Sequence, residues 1–408
     1  MNRWLYIGSV YPSAWEERFG VGSSPTIDVQ RSLLAGLSRQ GWRPDAILTT
    51  PPIRLFPRDR LQRFPSDLEG RVEGYPDTPL ESMGITNLEP FKTAGIAGHL
   101  KSYLTAWSRR VREAGDTPRL LVYNLGPTHE QGGFLAGVCR SLSLPVIPFV
   151  TDLDYHGEGR CSLGHWRFRW QVRLLQASEK LIALNPNVLR EFSEDRSSLH
   201  VPGVVPDHQF FTRLLSLPPV EKSGEPPVFL YAGSLNEPRG INRLLRAFEA
   251  LPEGSAVLKV SGRGPEESRV RDLAERHRYV EYLGYLRTDD ERLQVIEDAD
   301  ILVNPHEIEL PLARYLFPSK MAEYLASGRM VVSSLLPGMD GFPVDEIELY
   351  RKDSDEELTA ALQRSLDTGF SVRVDRARKC REWARINFDW DHVAGRILEF
   401  IEQPGEPA

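Results

Sequence analysis

The sequence predicts an α/β protein of two doubly wound domains, each a parallel sheet wrapped by helices. Three observations carry this. A chain of 408 residues exceeds what one hydrophobic core usually serves. Apolar runs of strand length alternate with stretches of helical periodicity along both halves, as βαβ winding requires. Between the halves, the segment 213–227 (RLLSLPPVEKSGEPP) is proline-rich and aperiodic, which suits a linker joining residues 1–212 to residues 228–385.

The elements follow in order. Trp4 to Val10 is an apolar run entering the loop YPSAWEERFGVGSSP, and Thr26 to Leu37 then carries Ile27, Leu33, Leu34 and Leu37 at helical spacing. Further strands are expected at Ala46 to Thr49, Leu120 to Tyr123, Pro145 to Val150, Lys180 to Leu184 and Leu199 to Val201. After the linker a second series begins with the strand Val228 to Ala232 and the helix Ile241 to Leu251. It continues through the strand Ala256 to Val260, the helix near Glu266 to Arg278 and the strand Tyr279 to Leu283. The helix Thr288 to Asp298 and the strand Ile301 to Asn304 complete it before the segment discussed below. Residues 386–408 hold a last helix, around Trp390 to Ile401, and the polar tail EQPGEPA, which is expected to fray.

Composition narrows the function. With 41% apolar and 26% charged residues the chain is an ordinary globular one, and a formal charge of −7 lacks the basic footprint of a nucleic-acid binder. Three scattered cysteines, Cys139, Cys161 and Cys380, have neither disulfide nor zinc spacing, so a reducing cytoplasm is the expected compartment. No run reaches the ~18 apolar residues of a membrane span. MNRWLYIGSVYPS lacks the basic and cleavage regions of a signal peptide and reads as the first strand.

The segment Phe317 to Ser334 (FPSKMAEYLASGRMVVSS) reads as a loop, a short helix and a buried strand. Pro318 and Ser319 stand where a helix begins, Gly328 where it stops, and Met330 to Val332 form the strand. Lys320 and Glu323 share a helical face, and a cation there opposes the helix dipole, a placement that serves a phosphate better than the helix. Glu323, one turn on, suits a pair of ribose hydroxyls. The spacing alone fits solvated helix residues equally.

This segment, read from Asn304 and Pro305 through Gly328, resembles the donor-site signature of GT-B glycosyltransferases of family 4, in the bacterial form NP(x)nFPSK(x)2EYLASG. YAGSLNEPRGINRLLRAF, VSGRGPEE, VEYLGYL, DADILVNP and NFDWDHVAGRILEF fall in the order of that family. The resemblance implies the GT-B fold, two Rossmann-like domains facing a cleft, with the last helix crossing back to the N-terminal domain. It further implies retaining transfer of a sugar from a nucleotide-diphosphate sugar to a glycan or lipid-linked acceptor, in bacterial surface-polysaccharide synthesis. The donor is a co-substrate; no cofactor is implied, and no metal is required.

On the residues of this sequence, the resemblance puts Gly233, Ser234 and Arg239 in the phosphate loop, with Arg239 and Lys320 on the diphosphate and Ser319 and Glu323 beside them. Ser234 stands where the family commonly has a basic residue. Gly262 and Gly264 would let backbone approach a flat ligand closely or are ordinary turn residues; the resemblance puts the segment Tyr285 to Arg287, with Leu286, along the nucleobase. Tyr315 takes the place of the first glutamate of the usual E-x7-E motif, and Glu307 or Glu309 could supply that acid from the longer intervening loop or be surface charge. In the first domain, Gly20 and Gly22 resemble the family's glycine loop, with Asp28 near it as an N-terminal helix charge. The strand PVIPFV ends in TDLDYH, where Asp152 is expected to orient the acceptor hydroxyl or the donor sugar, or to cap the loop. Thr151 occupies the family's histidine position, leaving Asp154 beside it and His156 or His129 to supply an imidazole.

Trp166 and Trp170 lie on one face of a basic aromatic helix, HWRFRWQVRLL. This suits either peripheral contact with the inner membrane face or packing under arginine stems. Two other functions stay open: a different GT-B nucleotide-sugar enzyme, such as an epimerase or a sucrose-phosphate-type synthase, and a non-catalytic nucleotide-sugar-binding partner in a polysaccharide assembly.

Overall fold

In the computed structural model the described residues are 1–19, 25–52, 56–57, 60–64, 68, 70–72, 74–124, 132–153, 155, 163–193, 196–205, 207–220 and 226–403. The chain divides into two units, Met1–Asp207 with Trp390–Ala408, and His208–Asp389.

The first unit is laid out as β1 (Asn2–Ile7), α1 (Ser13–Phe19), α2 (Pro25–Arg39), β2 (Ala46–Thr49), β3 (Arg63–Phe64), β4 (Leu80–Ser82), β5 (Ile85–Thr86) and α3 (Phe91–Glu113). It continues with β6 (Thr117–Tyr123), α4 (Gly132–Leu142), β7 (Val146–Val150), α5 (Leu163–Gln176), β8 (Leu181–Ala183), α6 (Pro186–Phe192) and β9 (Ser198–His200). Seven of these strands form one sheet in the order β4-β2-β1-β6-β7-β8-β9, and its pairings are parallel. β2, β7 and β8 are buried along their whole length, which is why they appear in the sequence as unbroken apolar runs. α3 covers the sheet with Ile96, Leu100, Leu104, Trp107 and Val111, a stripe at helical spacing. β3 and β5 pair antiparallel outside this sheet.

The second unit opens with a helix, α7 (His208–Leu215). The expected linker at 213–227 is therefore corrected: Arg213 to Leu215 are helical, and the boundary falls at His208. Phe210, Phe211 and Leu214 explain it, forming a buried stripe that the prolines after Leu217 do not interrupt. The next residues are also held to this unit, since Arg329 donates to the Pro218 carbonyl at 2.8 Å and Arg381 to that of Leu217 at 2.9 Å.

Then follow β10 (Val228–Ala232), α8 (Ile241–Glu249), β11 (Val257–Ser261), α9 (Glu267–Arg276), β12 (Val280–Gly284), α10 (Asp289–Glu297), β13 (Ile301–Asn304) and α11 (Lys320–Ala326). β14 (Met330–Ser334), β15 (Glu348–Tyr350), α12 (Asp355–Asp367) and α13 (Phe370–Asn387) close the unit. The parallel sheet runs β12-β11-β10-β13-β14-β15, the 3-2-1-4-5-6 order of a doubly wound fold.

The terminal helix α14 (Trp390–Glu402) belongs to the first unit. The helix starts at Trp390, where the sequence places it, while the unit boundary falls at 390 rather than 386, because Phe388 packs on Trp383 at 5.1 Å within the second unit. Trp390 Nε1 donates to the Val205 carbonyl at 2.9 Å, and the buried Lys180 ammonium caps the far end through the carbonyls of Phe400 and Gln403 at 2.7 and 2.6 Å. The tail from Pro404 lies outside the described residues.

Candidate functional site: a cationic group at the switch point of the second sheet

In the second sheet the winding reverses between β10 and β13, and open α/β sheets bind ligands beyond the strand ends at such a point. Two glycine turns stack there. Gly233, just after β10, has φ +157, and a side chain on it would run into the Lys320 ammonium. Gly262, just after β11, has φ +146, and a Cβ there would overlap the Gly233 carbonyl oxygen. The turns are tied by Gly233 N–H to the Ser261 carbonyl at 2.9 Å and Leu235 N–H to the Arg263 carbonyl at 2.8 Å. Gly264 lies against the Leu235 carbonyl in the same stack.

From this platform the chain enters a 3-10 turn, Glu237–Arg239, capped by Asn236, whose side chain accepts from Arg239 N–H at 3.1 Å. The Arg239 guanidinium reaches His306, with Nη1 2.7 Å from Nε2. His306 stands two residues past β13 and is only 3% exposed. Lys320, the first residue of α11, lays its ammonium over the Tyr231 ring at 4.0 Å. The Lys320 Nζ is buried and has no hydrogen-bond partner among the described residues.

The electrostatics follow from this crowding. Burial, and then Arg239, push Lys320 from its usual 10.5 down to about 7, with Glu323 opposing. Burial, Arg239 and Lys320 together hold His306 well below its ordinary value, so the ring is neutral. A buried ammonium without an acceptor among the described residues, beside a guanidinium, is a site that an anion with several oxygens would complete.

Of the residues singled out in the sequence, Gly233, Arg239, Gly262, Gly264 and Lys320 lie close together here. Ser234 is exposed, and its carbonyl accepts from the Tyr231 hydroxyl at 2.6 Å. Ser319 is exposed at the α11 N-cap and makes no capping bond through its side chain. Leu286 is half-buried beyond β12, next to an exposed Tyr285 whose ring carries the Arg263 guanidinium at 4.6 Å.

Other expectations are corrected. Glu323 is not an open acceptor: its Oε1 pairs with Arg292 of α10 at 2.6 Å, and that guanidinium also binds Asp289 at 3.0 Å and stacks on Phe210 at 4.0 Å. Glu307 does not join Lys320, because the buried Arg243 of α8 holds its carboxylate at 2.6 Å and Asp353 at 3.1 Å. Glu309 is exposed and engages Asp353 through its backbone N–H at 2.8 Å. Tyr315, which replaces the expected first acid, is buried at 2% exposure.

In the first unit, Asp152 follows β7 and lies near the buried Tyr123, whose pKa is raised by burial and then by the Asp152 charge. Gly20, Gly22, His129, Asp154 and His156 lie outside the described residues. On α5, Trp166 is 54% exposed with Arg169 over its ring, whereas Trp170 packs on Gly133 of α4. No described helix is long and apolar enough to cross a membrane. Among the described residues no three His, Cys, Asp or Glu side chains gather as metal ligands.

Sequence reading missed His306, Arg292 and the Arg243–Asp353 pair. For His306 a signal existed: it follows Asn304 and Pro305 at the carboxyl end of the strand across the switch point.

Residues 226–368 match the family of glycosyl transferases group 1. The fold is similar to that of sucrose-phosphate synthase from Thermosynechococcus elongatus, with a TM-score of 0.64 and 18% identity over 98% of both chains. It is also similar to the lipopolysaccharide outer core galactosyltransferase WaaB, with a TM-score of 0.63 and 14% identity over 98% of this chain and 99% of that one. Anabaena Alr3699/HepE, solved in complex with UDP, gives 0.61 and 14% over 98% and 100%. No curated protein sequence matches the chain. The chain therefore has the GT-B fold, and its second unit carries a glycosyl transferases group 1 domain.

Proposed function

We propose that the protein is a retaining glycosyltransferase of the family 4 type, moving a sugar from a nucleotide-diphosphate sugar to a hydroxyl of a glycan or lipid-linked acceptor. The observation that carries this is the buried Lys320 ammonium, without a hydrogen-bond partner among the described residues, beside Arg239 at the switch point. In this reading both cations take the oxygens of the diphosphate. The bond from the anomeric carbon to the phosphate oxygen breaks with negative charge leaving onto the phosphate, which Arg239 and Lys320 stabilise. The acceptor oxygen bonds the same face of that carbon, and its proton passes to the departing phosphate. Asp152 orients the acceptor hydroxyl or the donor sugar. Glu323 offers the ribose its second oxygen while Arg292 holds the first. The two cations balance the diphosphate in this scheme, so a metal is not called for.

The likeness to a lipopolysaccharide outer core galactosyltransferase supports a surface glycan as acceptor. The likeness to a sucrose-phosphate synthase favours a second reading, a soluble sugar-phosphate acceptor. The test is a thermal-shift and hydrolysis panel of UDP-, GDP-, ADP- and dTDP-sugars, with Lys320→Ala alongside. One nucleotide should stabilise the unmodified protein and be slowly hydrolysed, and Lys320→Ala should abolish both. Failure of every nucleotide sugar would refute the reading. Sugar phosphates and lipid-linked glycans offered with the donor then separate the two acceptors.

A further inference from the structure

We propose that His306 is a positioning residue that fixes Arg239 for the diphosphate by accepting a hydrogen bond from its guanidinium through Nε2. This rests on the donor reading above. Arginine only donates, so the nitrogen 2.7 Å from Nη1 must be the accepting one, which leaves the ring proton on Nδ1. The imidazole is 3% exposed and faces Arg239 and Lys320, both of which keep a second proton off it.

The backbone supports the same assignment. Gly240 packs so closely that a Cβ would overlap the Pro305 carbonyl, and Glu307 N–H donates to the Pro238 carbonyl at 3.2 Å. The turn bearing Arg239 is therefore docked on residues 305–307 from both sides of His306. Chemistry explains the choice of side chain. A carboxylate here would hold Arg239 equally well but cancel its charge, whereas a neutral imidazole orients the fork and leaves the charge for the ligand. The two cations thus differ: Arg239 is set in place before the ligand arrives, while Lys320 rests on a ring face with no acceptor among the described residues.

The experiment joins a tautomer measurement to a double-mutant cycle. Long-range proton–nitrogen spectra of the unliganded full chain should show His306 neutral, with its proton on Nδ1, between about pH 6 and 8. A charged ring or an Nε2–H tautomer would overturn the proposal, whether or not any variant folds. Calorimetric titration with UDP and with inorganic pyrophosphate should show His306→Leu weakening both by about tenfold. In an Arg239→Ala background the same change should have no further effect, and His306→Gln, which keeps an acceptor, should bind within about threefold of the unmodified protein. An equal loss in the Arg239→Ala background would show that His306 acts by another route. UDP binding left unchanged by His306→Leu would overturn this proposal alone, whereas an unmodified protein that binds neither ligand would refute the proposed function with it.

Discussion

Donor binding should take up a proton at Lys320. The ammonium is buried among Arg239, His306 and the Tyr231 ring, with Glu323 one turn along α11, and its pKa stands at about 7. At pH 8 such a group is about nine-tenths neutral, and at pH 6 about nine-tenths charged. A diphosphate supplies acceptors and negative charge and should return Lys320 towards its usual 10.5. Uptake on binding is then about 0.9 proton at pH 8 and about 0.1 at pH 6, and affinity at pH 8 is about tenfold below its low-pH limit. Calorimetry with UDP at pH 8, in buffers of different ionisation enthalpy, reads the proton number directly. UDP's own phosphate, titrating near pH 6, contributes little there. Uptake below about 0.2 proton, or uptake that persists in Lys320→Met, would refute the argument.

The same shift has a sign in stability. Between about pH 7 and 10.5 the unfolded chain holds a proton at Lys320 that the folded chain lacks, so stability rises with pH across that window. Below pH 7 both states are protonated and the whole cost of the buried charge is present, on the order of 5 kcal/mol. Lys320→Met should therefore raise Tm most at pH 6 and progressively less toward pH 10. A constant difference would count against a buried charge.

Further outcomes are expected. Arg292→Met releases Glu323 Oε1 and should weaken UDP binding severalfold while leaving pyrophosphate binding unchanged, because Glu323 is assigned to the ribose; equal losses for both ligands would remove that assignment. Gly262→Ala places a methyl on the Gly233 carbonyl and should destabilise the second unit by about 2–4 kcal/mol, read as a lower urea midpoint. Lys180→Met strips the cap from the carbonyls of Phe400 and Gln403; hydrogen exchange should quicken in α14 before the rest of the first unit, at a cost of about 1–3 kcal/mol. If α5 meets anionic vesicles, Trp166→Ser should abolish flotation and Trp170→Phe should not, since only Trp166 is open; no flotation of the unmodified protein would end the membrane reading.

The strands β2, β10 and β13 begin and end where the sequence places them, because each is an apolar run closed by a proline, glycine or polar break. α7 was hidden for the opposite reason. Its eight residues are too few to show periodicity against the prolines that follow, and its stripe is recognisable only once a surface covers it. β4 and β15, of three residues each, are set by pairing with β2 and β14 rather than by their own pattern. The candidate cations were legible because they sit at strand ends and turns. Their partners were not: Arg292 meets Glu323 from 31 positions away, and Arg243 reaches Glu307 across 64.

The departures from the family 4 pattern that the sequence resembles become intelligible together. Where the resemblance leads to the expectation of a cation, the chain has the exposed Ser234, yet the Ser234 carbonyl is held by the hydroxyl of Tyr231, the ring on which Lys320 rests. Tyr231 thus shapes the loop and seats the remaining ammonium with one side chain. With the acid position taken by the buried Tyr315 and Glu307 bound to Arg243, neither of those positions brings a carboxylate to Lys320. Burial and Arg239 together hold the Lys320 pKa near 7, so on the proposed reading much of the second positive charge forms as the anion binds. A chain in which Ser234 were replaced by lysine would add a standing charge there. Such a variant, Ser234→Lys, should lower the Lys320 pKa further and increase proton uptake on UDP binding at pH 7, from about 0.5 toward one proton. Uptake that stayed at about 0.5 would mean that the added ammonium does not reach the site.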